Sequence, residues 1–490
     1  MRWRRHIGLF FGLLVAAGPL FAQGYNGPLT IQGLDRNTLH SAAGRGMGGI
    51  TIGHRNEIGL MFHNPATLGS LTTTKITLGG IQQSEDAEQV QQYAPVRYYS
   101  NFSLLMEGLT HLIPDPDPLL GGSSSADTVQ RPFDNIGPNW SRSKNHDIPL
   151  QGFFAMPFTV GGVKLAVGLG AAEYADLNHF YQNNNTLSPP VFLQRPLPTF
   201  RPTNDAPVAV DWSQYIRSRE GSLRGYGVAL SGSMAKGDLS FGISGMMIRG
   251  TSDDVEQLLG RGRMTFFSNS FRLDSVYRHI RNIGTSEYSG QEITLGGIYR
   301  GRHLSIGFSA KLPTTITRTF TTVVEADTTG IISTSTMSGE DQIQLPWRGT
   351  VALSLTPREN VMLGFEYEIR SYALAVYTSP GGSEASPWLS SSVFHIGAEY
   401  TPEPWLALRM GIRGQAEVFE PEGNPIAGEP VTFSVYSAGF GLFHAGLQFN
   451  VTYEYSQMKY QDIWGSAVSM NSVKRNTVVA DLSYELPWMP

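Results

Sequence analysis

The sequence predicts an all-β protein: a 14-stranded antiparallel transmembrane β-barrel of the bacterial outer membrane with an N-terminal hatch inside its lumen. Three observations support this prediction. An export signal opens the chain, strands with one apolar face follow it, and the connections between the strands are short and long in turn. The composition agrees, since only 16% of the 490 residues are charged, against roughly 25% in ordinary soluble domains.

Residues 1–22 have the layout of a secretory signal peptide. Three arginines precede the apolar stretch Ile7–Ala17, and the small residue Ala22 marks the expected cleavage point. The apolar stretch is much shorter than the roughly 20 residues that cross a bilayer as a helix. We therefore expect export of the chain rather than a helical anchor at this end.

The chain after residue 73 alternates between apolar and polar residues. From Leu447 to Tyr455, every second residue is apolar and the residues between are polar. A period of two is typical of a strand with one apolar face. The pattern predicts strands at 74–83, 148–158, 162–172, 222–234, 238–250, 288–300, 303–324, 331–355, 360–378, 390–401, 405–418, 431–444, 447–460 and 474–487.

The connections between the strands favour a membrane barrel over a soluble sandwich. Tight turns such as Ala445-Gly446 alternate with long or polar excursions such as 84–147 and 173–221. Outer-membrane barrels have turns at one end and loops at the other, whereas a multi-domain sandwich has no reason to keep this asymmetry. Some strands exceed the roughly 9–11 residues that cross a bilayer, so we expect the wall to project beyond the membrane. We also expect Ser252-Asp253-Asp254 to cap a short helix through Leu259.

The face opposite the apolar one carries charge and is predicted to line the lumen. We expect a paired, solvated network there, with a catalytic carboxylate pair as the alternative. About fourteen strands leave an opening unless something fills it. The inward charges are Glu366, Glu368, Arg370, Arg409, Arg413, Glu454 and Asp481.

Residues 23–73 do not alternate and are the candidate plug. They contain the serine- and glycine-rich run 41–49, with Gly44, Gly46, Gly48 and Gly49, and later Asn64-Pro65-Ala66. Three of the glycines formally match a dinucleotide fingerprint, but no βαβ unit surrounds them. A compact coil whose glycines permit tight turns and close backbone approach is the better interpretation.

The two motifs resemble those of the long-chain fatty-acid transporter (FadL) family of outer-membrane proteins. The resemblance implies a hatch folded inside the barrel, hydrophobic ligands that enter from outside, and lateral exit through a gap beside a kinked strand. Two departures are Arg55-Asn56-Glu57, where an acidic pair is common in the family, and the C-terminal Trp488-Met489-Pro490. The spelling Gly46-Met47-Gly48-Gly49 is also similar to the related type IX secretion shuttle barrels.

Two apolar groups are candidates for holding a ligand. In the loop 84–147, Phe102, Leu105, Met106 and Leu109 fall on one stripe of a predicted helix. In the hatch, Leu60-Met61-Phe62 forms an apolar cluster. These groups could capture a lipid-like chain, while packing of the loop helix across the barrel mouth is the alternative.

From the resemblance, we expect a passive transporter of small hydrophobic molecules, such as long-chain fatty acids or similar amphiphiles. It would work by loop capture, hatch gating and lateral exit. The alternative is a protein-binding barrel of an outer-membrane secretion system. The expected division is a signal peptide at 1–22, a hatch at 23–73 and a barrel at 74–490.

We expect no enzymatic activity, because the chain has no cysteine, no H-E-x-x-H and no G-x-S-x-G motif. Asp176, Asn178 and the loop Asp115-Pro116-Asp117 suit calcium only weakly, since the EF-hand glycine and closing glutamate are missing. We therefore expect no metal and no cofactor. The expected partners are a hydrophobic ligand, outer-membrane lipid and lipopolysaccharide, with no nucleic acid, and the expected state is a monomer.

Overall fold

The computed structural model describes thirteen stretches of the chain. They are residues 33–34, 38–54, 56–91, 115–116, 135–188, 203–234, 238–266, 270–274, 278–328, 330–386, 388–419, 430–462 and 469–486. The predicted signal peptide and the loop residues Phe102, Leu105, Met106 and Leu109 lie outside these ranges. Within them, no helix combines the length and the apolar character needed to cross a membrane.

Fourteen long strands form the wall. Three of them are interrupted and resume after two residues. The strands are β1 (Thr74–Gln91), β2 (Trp140–Val160), β3 (Val163–Asp176, then His179–Ser188), β4 (Val208–Met234), β5 (Leu239–Phe266), β6 (Arg278–Arg300), β7 (Leu304–Lys311, then Thr314–Thr328), β8 (Ile331–Leu345, then Arg348–Arg358), β9 (Val361–Arg370), β10 (Ser391–Glu403), β11 (Leu406–Ala416), β12 (Thr432–His444), β13 (Leu447–Asp462) and β14 (Ser469–Leu486).

Each strand pairs with the next in antiparallel register, and β1 pairs with β14 from Thr74↔Leu486 to Gln91↔Ser469, which closes the barrel. Closure gives wall backbone groups a partner without an open edge. The predicted 14-stranded antiparallel barrel is confirmed.

The apolar faces of the strands point outward. On β4, Tyr226, Val228 and Leu230 are exposed while Ala229 between them is buried, and β13 exposes Phe449 and Tyr453 in the same way. Side chains of this kind continue around the barrel near the tight turns. They form the belt that a hydrocarbon core requires, so the protein is a transmembrane barrel of the outer-membrane type.

The strands extend further into the predicted loops than the periodicity indicated. The predicted helix from Ser252 to Leu259 is wrong, because these residues belong to β5 and pair with β4 on one side and β6 on the other. Ladders on both sides outweigh the local capping preference of an Ser-Asp-Asp sequence. The predicted strand 360–378 also ends early, at Arg370, where a short 3₁₀ turn at Tyr372–Leu374 follows.

The described residues of 38–73 form three short helical elements enclosed by the wall: an α-helix at Ala42–Gly46 and 3₁₀ helices at Ile58–Leu60 and Pro65–Ser70. The helix contacts β11 to β14, whereas the last turn contacts β4, β5 and β6 on the opposite side. We call residues 38–73 the N-terminal segment. It therefore crosses the lumen from one wall to the other.

Candidate functional site

Each short element of the N-terminal segment begins at a residue that caps it. The side chains of Ser41, Glu57 and Asn64 accept hydrogen bonds from Gly44 N, Gly59 N and Ala66 N. Capping satisfies backbone donors that a one-turn helix cannot satisfy internally. The serine and asparagine of the two sequence motifs thus define local structure. Glu57, in the place where the resemblance showed a departure, does the same.

The glycines of the first motif allow close contact between two backbones. Gly48 and Gly49 adopt φ of +73° and +96°, and His395 Nδ1 lies 2.7 Å from Gly48 O. A Cβ on Gly411 of β11 would lie 2.2 Å from Gly48 N, and one on Gly397 of β10 would lie 2.2 Å from Met47 O. Glycines therefore face each other across the contact, where the segment lies directly on the inner wall.

The second motif docks on the opposite wall in a similar way. Asn64 Nδ2 donates to Phe308 O at 3.3 Å, and Ala66 is fully buried. A Cβ on Gly296 of β6 would lie 2.1 Å from Asn64 Oδ1, and one on Gly242 of β5 would lie 2.5 Å from the carbonyl carbon of Pro65. The inward-facing wall glycines are contact residues that the sequence analysis missed. In the sequence, such a contact residue can be found as a glycine at an inward-facing position of an alternating strand.

Charged groups of the wall hold the segment in place. Arg45 forms an ion pair with the buried Glu454, which also pairs with Arg413 at 2.5 Å. Asp481 Oδ2 accepts a hydrogen bond from Ala42 N at 2.8 Å. Several of the predicted inward charges are thus paired, partly with the wall itself and partly with the N-terminal segment.

A polar cavity of about 240 Å³ lies between the segment and the wall. Both signs of charge line it, so it suits a polar or charged group better than a bare hydrocarbon. The cations are Arg45, Lys311, Arg348, Arg370, Arg413 and Arg475, and the acids are Asp176, Glu366, Glu368, Glu417 and Glu454.

The predicted hatch cluster is apolar but not open. Leu60, Met61 and Phe62 are each at most 2% exposed. Met61 lies against Gly168 of β3, where a Cβ would be 2.8 Å from its sulfur, and Phe62 lies against Gly170 and Gly227 at similar distances. These two side chains fill the space that the wall glycines leave.

The hydrogen-bonded ladder of the wall has a gap next to this cluster. The ladder between β2 and β3 runs from Val160↔Val163 to Gly152↔Ala171, although both strands continue beyond it. Pairing of β3 with β4 shifts at a bulge between Glu173 and Ala175, and β3 stops at Asp176 before resuming at His179. The bulge and the break turn β3 away from β2.

A groove on the outer surface lies over the same strands. Its lining includes Gly152, Phe154, Leu169, Tyr226 and Val228. The groove and the Met61–Phe62 cluster therefore lie on opposite sides of one glycine-rich part of the wall. The structure brings these two hatch residues to this wall, whereas the predicted loop residues fall outside the described part of the chain.

Neither protein-family models nor curated proteins gave a match to this sequence. Solved structures do match. A Pseudomonas aeruginosa FadL homologue superposes with a TM-score of 0.59 at 12% identity, over 91% of this chain and 98% of that chain. The P. putida toluene transporter TodX matches with a TM-score of 0.52 at 13% identity, over 91% and 98% of the two chains. The CymD monoaromatic hydrocarbon channel matches with a TM-score of 0.51 at 12% identity, over 92% and 98%.

At such identities the likeness establishes the fold and leaves the ligand open. It agrees with the strand count and the closed ladder. The resemblance drawn from the two motifs is therefore confirmed for the fold: the chain has the architecture of the FadL-type outer-membrane barrels.

Proposed function

We propose that the protein is a passive, non-enzymatic outer-membrane transporter of small hydrophobic molecules that leave the barrel sideways. The gap between β2 and β3 carries this proposal. It opens where the ladder ends at Gly152↔Ala171, next to the apolar cluster of Met61 and Phe62. An apolar molecule could pass from the apolar cluster to the lipid at the Gly152–Ala171 end of the gap.

In this proposal the N-terminal segment is the gate. Arg45, Asp481 and the facing glycines anchor it, and Met61 and Phe62 occupy the space beside the gap. Movement of the segment would exchange these side chains for those of a ligand. Leu60 would take part in the same exchange, and Phe102, Leu105, Met106 and Leu109 would capture the ligand at the outer surface.

The cavity favours an amphiphile over a bare hydrocarbon. Six cationic side chains line it, together with five carboxylates. A carboxylate headgroup could accept charge-assisted hydrogen bonds there while its chain lies along the apolar cluster. Burying a methylene contributes about 0.8 kcal/mol, so the chain would supply most of the affinity. Long-chain fatty acids fit this description. TodX, by contrast, is described as a toluene transporter, and CymD as a monoaromatic hydrocarbon channel.

The test compares ligands that share a chain and differ in the headgroup. Detergent-purified protein should bind a long-chain fatty acid at least about tenfold more tightly than the methyl ester of the same acid, because only the acid offers a charged acceptor. In cells that lack their own fatty-acid transporter, expression of the protein should raise the initial rate of fatty-acid uptake. The variant Leu105→Asp with Leu109→Asp should lower both binding and uptake.

Absence of binding to any amphiphile or hydrocarbon would contradict the transport proposal. It would favour the alternative, a protein-binding barrel of a secretion system, whose activity would lie in the outer loops. Equal binding of the acid, its ester and toluene would retain transport and remove the preference for a carboxylate.

A further inference from the structure

Three metal-ligating side chains meet in the gap between β2 and β3. His146 belongs to β2, and Glu173 and Asp176 belong to the end of the first part of β3. His146 Nε2 lies 3.7 Å from Glu173 Oε1 and 3.9 Å from Asp176 Oδ1. One ligand atom from each residue falls within 4.8 Å of the other two.

The bulge in β3 creates this arrangement. Residues three apart in a regular strand face opposite sides, so Glu173 and Asp176 would point apart. The register shift between Glu173 and Ala175 adds one residue, which turns both carboxylates to the same side. Because the β2–β3 ladder has already ended, His146 can face them across the gap.

One imidazole nitrogen and two carboxylate oxygens are the ligands of a transition-metal site. Ligands about 2.0–2.2 Å from a tetrahedral zinc ion lie roughly 3.4 Å from one another, so small side-chain shifts would suffice here. Three protein ligands leave a position for water. Calcium prefers six or more oxygen ligands and magnesium a nearly regular oxygen shell, so this set suits neither.

The charge of the cluster also favours a cation. Among the described residues, the ion pairs of Glu173 and Asp176 involve only His146. Glu173 is 4% exposed, so its charge is poorly solvated. A divalent ion bound by neutral imidazole would balance the two carboxylates.

Neighbouring groups orient the three ligands. Thr38 Oγ1 of the N-terminal segment donates to Glu173 Oε2 at 3.2 Å, which leaves Oε1 facing His146. Asn178 N donates to Asp176 Oδ1 at 2.8 Å. Asn178 Nδ2 lies 2.7 Å from the same oxygen, 2.9 Å from His146 Nδ1 and 3.3 Å from His146 Nε2, so this amide has to turn aside when an ion binds. The contact from Thr38 is an outer-shell contact of the kind that is typical of metal sites. Asp176 also lines the polar cavity, which gives an ion a route to the site.

We propose that His146, Glu173 and Asp176 bind one divalent transition-metal ion of the zinc class, which bridges β2 and β3 across the gap. No metal was expected from the sequence, in which Asp176 was weighed only as a calcium ligand. Residues on two strands that a bulge brings together leave no spacing motif. The binding itself does not depend on the proposed transport function.

The test uses full-length protein purified in detergent without a histidine tag and treated with a chelator. Titration calorimetry with Zn²⁺ should show one site, and Co²⁺ should give a visible spectrum with nitrogen and oxygen ligands only, since the chain has no cysteine. His146→Ala and Glu173→Gln should each weaken Zn²⁺ binding at least about tenfold, because even outer-shell changes cost that much. Ca²⁺ and Mg²⁺ should not compete at equal concentration.

His444→Ala is the matched control, because His444 is an exposed histidine at the end of β12. It should leave Zn²⁺ binding unchanged. Unchanged migration of the unheated protein in detergent gels will show that the variants are folded, and Asp176→Asn replaces any variant that is not. Equal Zn²⁺ affinity in the parent and in the folded site variants, or loss of binding in His444→Ala, would overturn the proposal.

Discussion

At the scale of single residues, the contact between Gly48 and Gly411 shows how closely the N-terminal segment approaches the wall. The nitrogen of Gly48 would lie 2.2 Å from a Cβ at position 411. Backbone atoms on both sides leave no flexible group to move aside. A side chain at this position must therefore displace the segment or the strand.

We predict that Gly411→Val loosens the segment without preventing barrel formation. Overpacking of this kind costs about 1–3 kcal/mol, so the open probability in planar bilayers should rise at least about fivefold. Gly414→Val on the same strand is the control, since a Cβ there meets nothing within 4 Å. Equal conductance of the two variants would show that the contact does not hold the segment.

At the scale of elements, the strands beyond the apolar belt are held by buried polar pairs. Arg219 of β4 has a fully buried side chain and binds Asp254 of β5 at 2.7 Å. Burial by itself would raise the pKa of Asp254, but Arg219 and hydrogen bonds from Ser286 and Ser252 outweigh it and hold the pKa below its usual value. The same residues that suggested a helix cap in the sequence therefore join strands in the outer wall.

Asp254→Ala should unfold this outer wall locally. Breaking a buried ion pair costs about 3–5 kcal/mol, and the partial exposure of Asp254 reduces this to at least about 2 kcal/mol. Amide hydrogen exchange of residues 213–222 should accelerate at least about tenfold, whereas strands in the apolar belt should keep their rates.

The matched control for this variant is Asp211→Ala, which removes an exposed pair on the same two strands. Asp211 and Arg263 are 31% and 45% exposed at their side chains, so the pair is worth at most about 1 kcal/mol. If both variants exchange at the same rate, the buried pair does not stabilise the outer wall.

At the scale of the whole molecule, the barrel wall closes by itself, and the N-terminal segment fills the lumen. Closure of the ladder through β1 and β14 does not involve the N-terminal segment. A lumen enclosed by fourteen strands is too wide for the wall side chains to fill. The N-terminal segment fills this space, since it contacts both β11–β14 and β4–β6.

Deletion of residues 23–70 should therefore turn a nearly silent protein into an open pore. The deletion variant should still migrate as a folded barrel in unheated detergent gels, and single-channel recordings in planar bilayers should show a large, stable conductance. A folded deletion variant with the conductance of the parent would mean that the segment does not close the lumen.

The strand positions could be predicted from the sequence, because alternation is a local property that a strand imposes on neighbouring residues. The alternation of apolar and polar residues from Leu447 to Tyr455 is sufficient to predict a strand, and β13 begins at Leu447. The strand ends could not, because the outer parts of β4, β5 and β6 are stabilised by their ladders and by pairs such as Arg219–Asp254. In β5, the local preference of residues 252–259 had suggested a helix.

Part of the candidate site could also be predicted from the sequence, and part could not. The caps Ser41 and Asn64 act within three residues of themselves, so the motifs that contain them are visible in the sequence. The wall glycines opposite them, and the meeting of His146 with Glu173 and Asp176, depend on strand register and on one bulge in β3. Register and bulges are set by cooperative pairing of distant strands, and only the tertiary structure decides them.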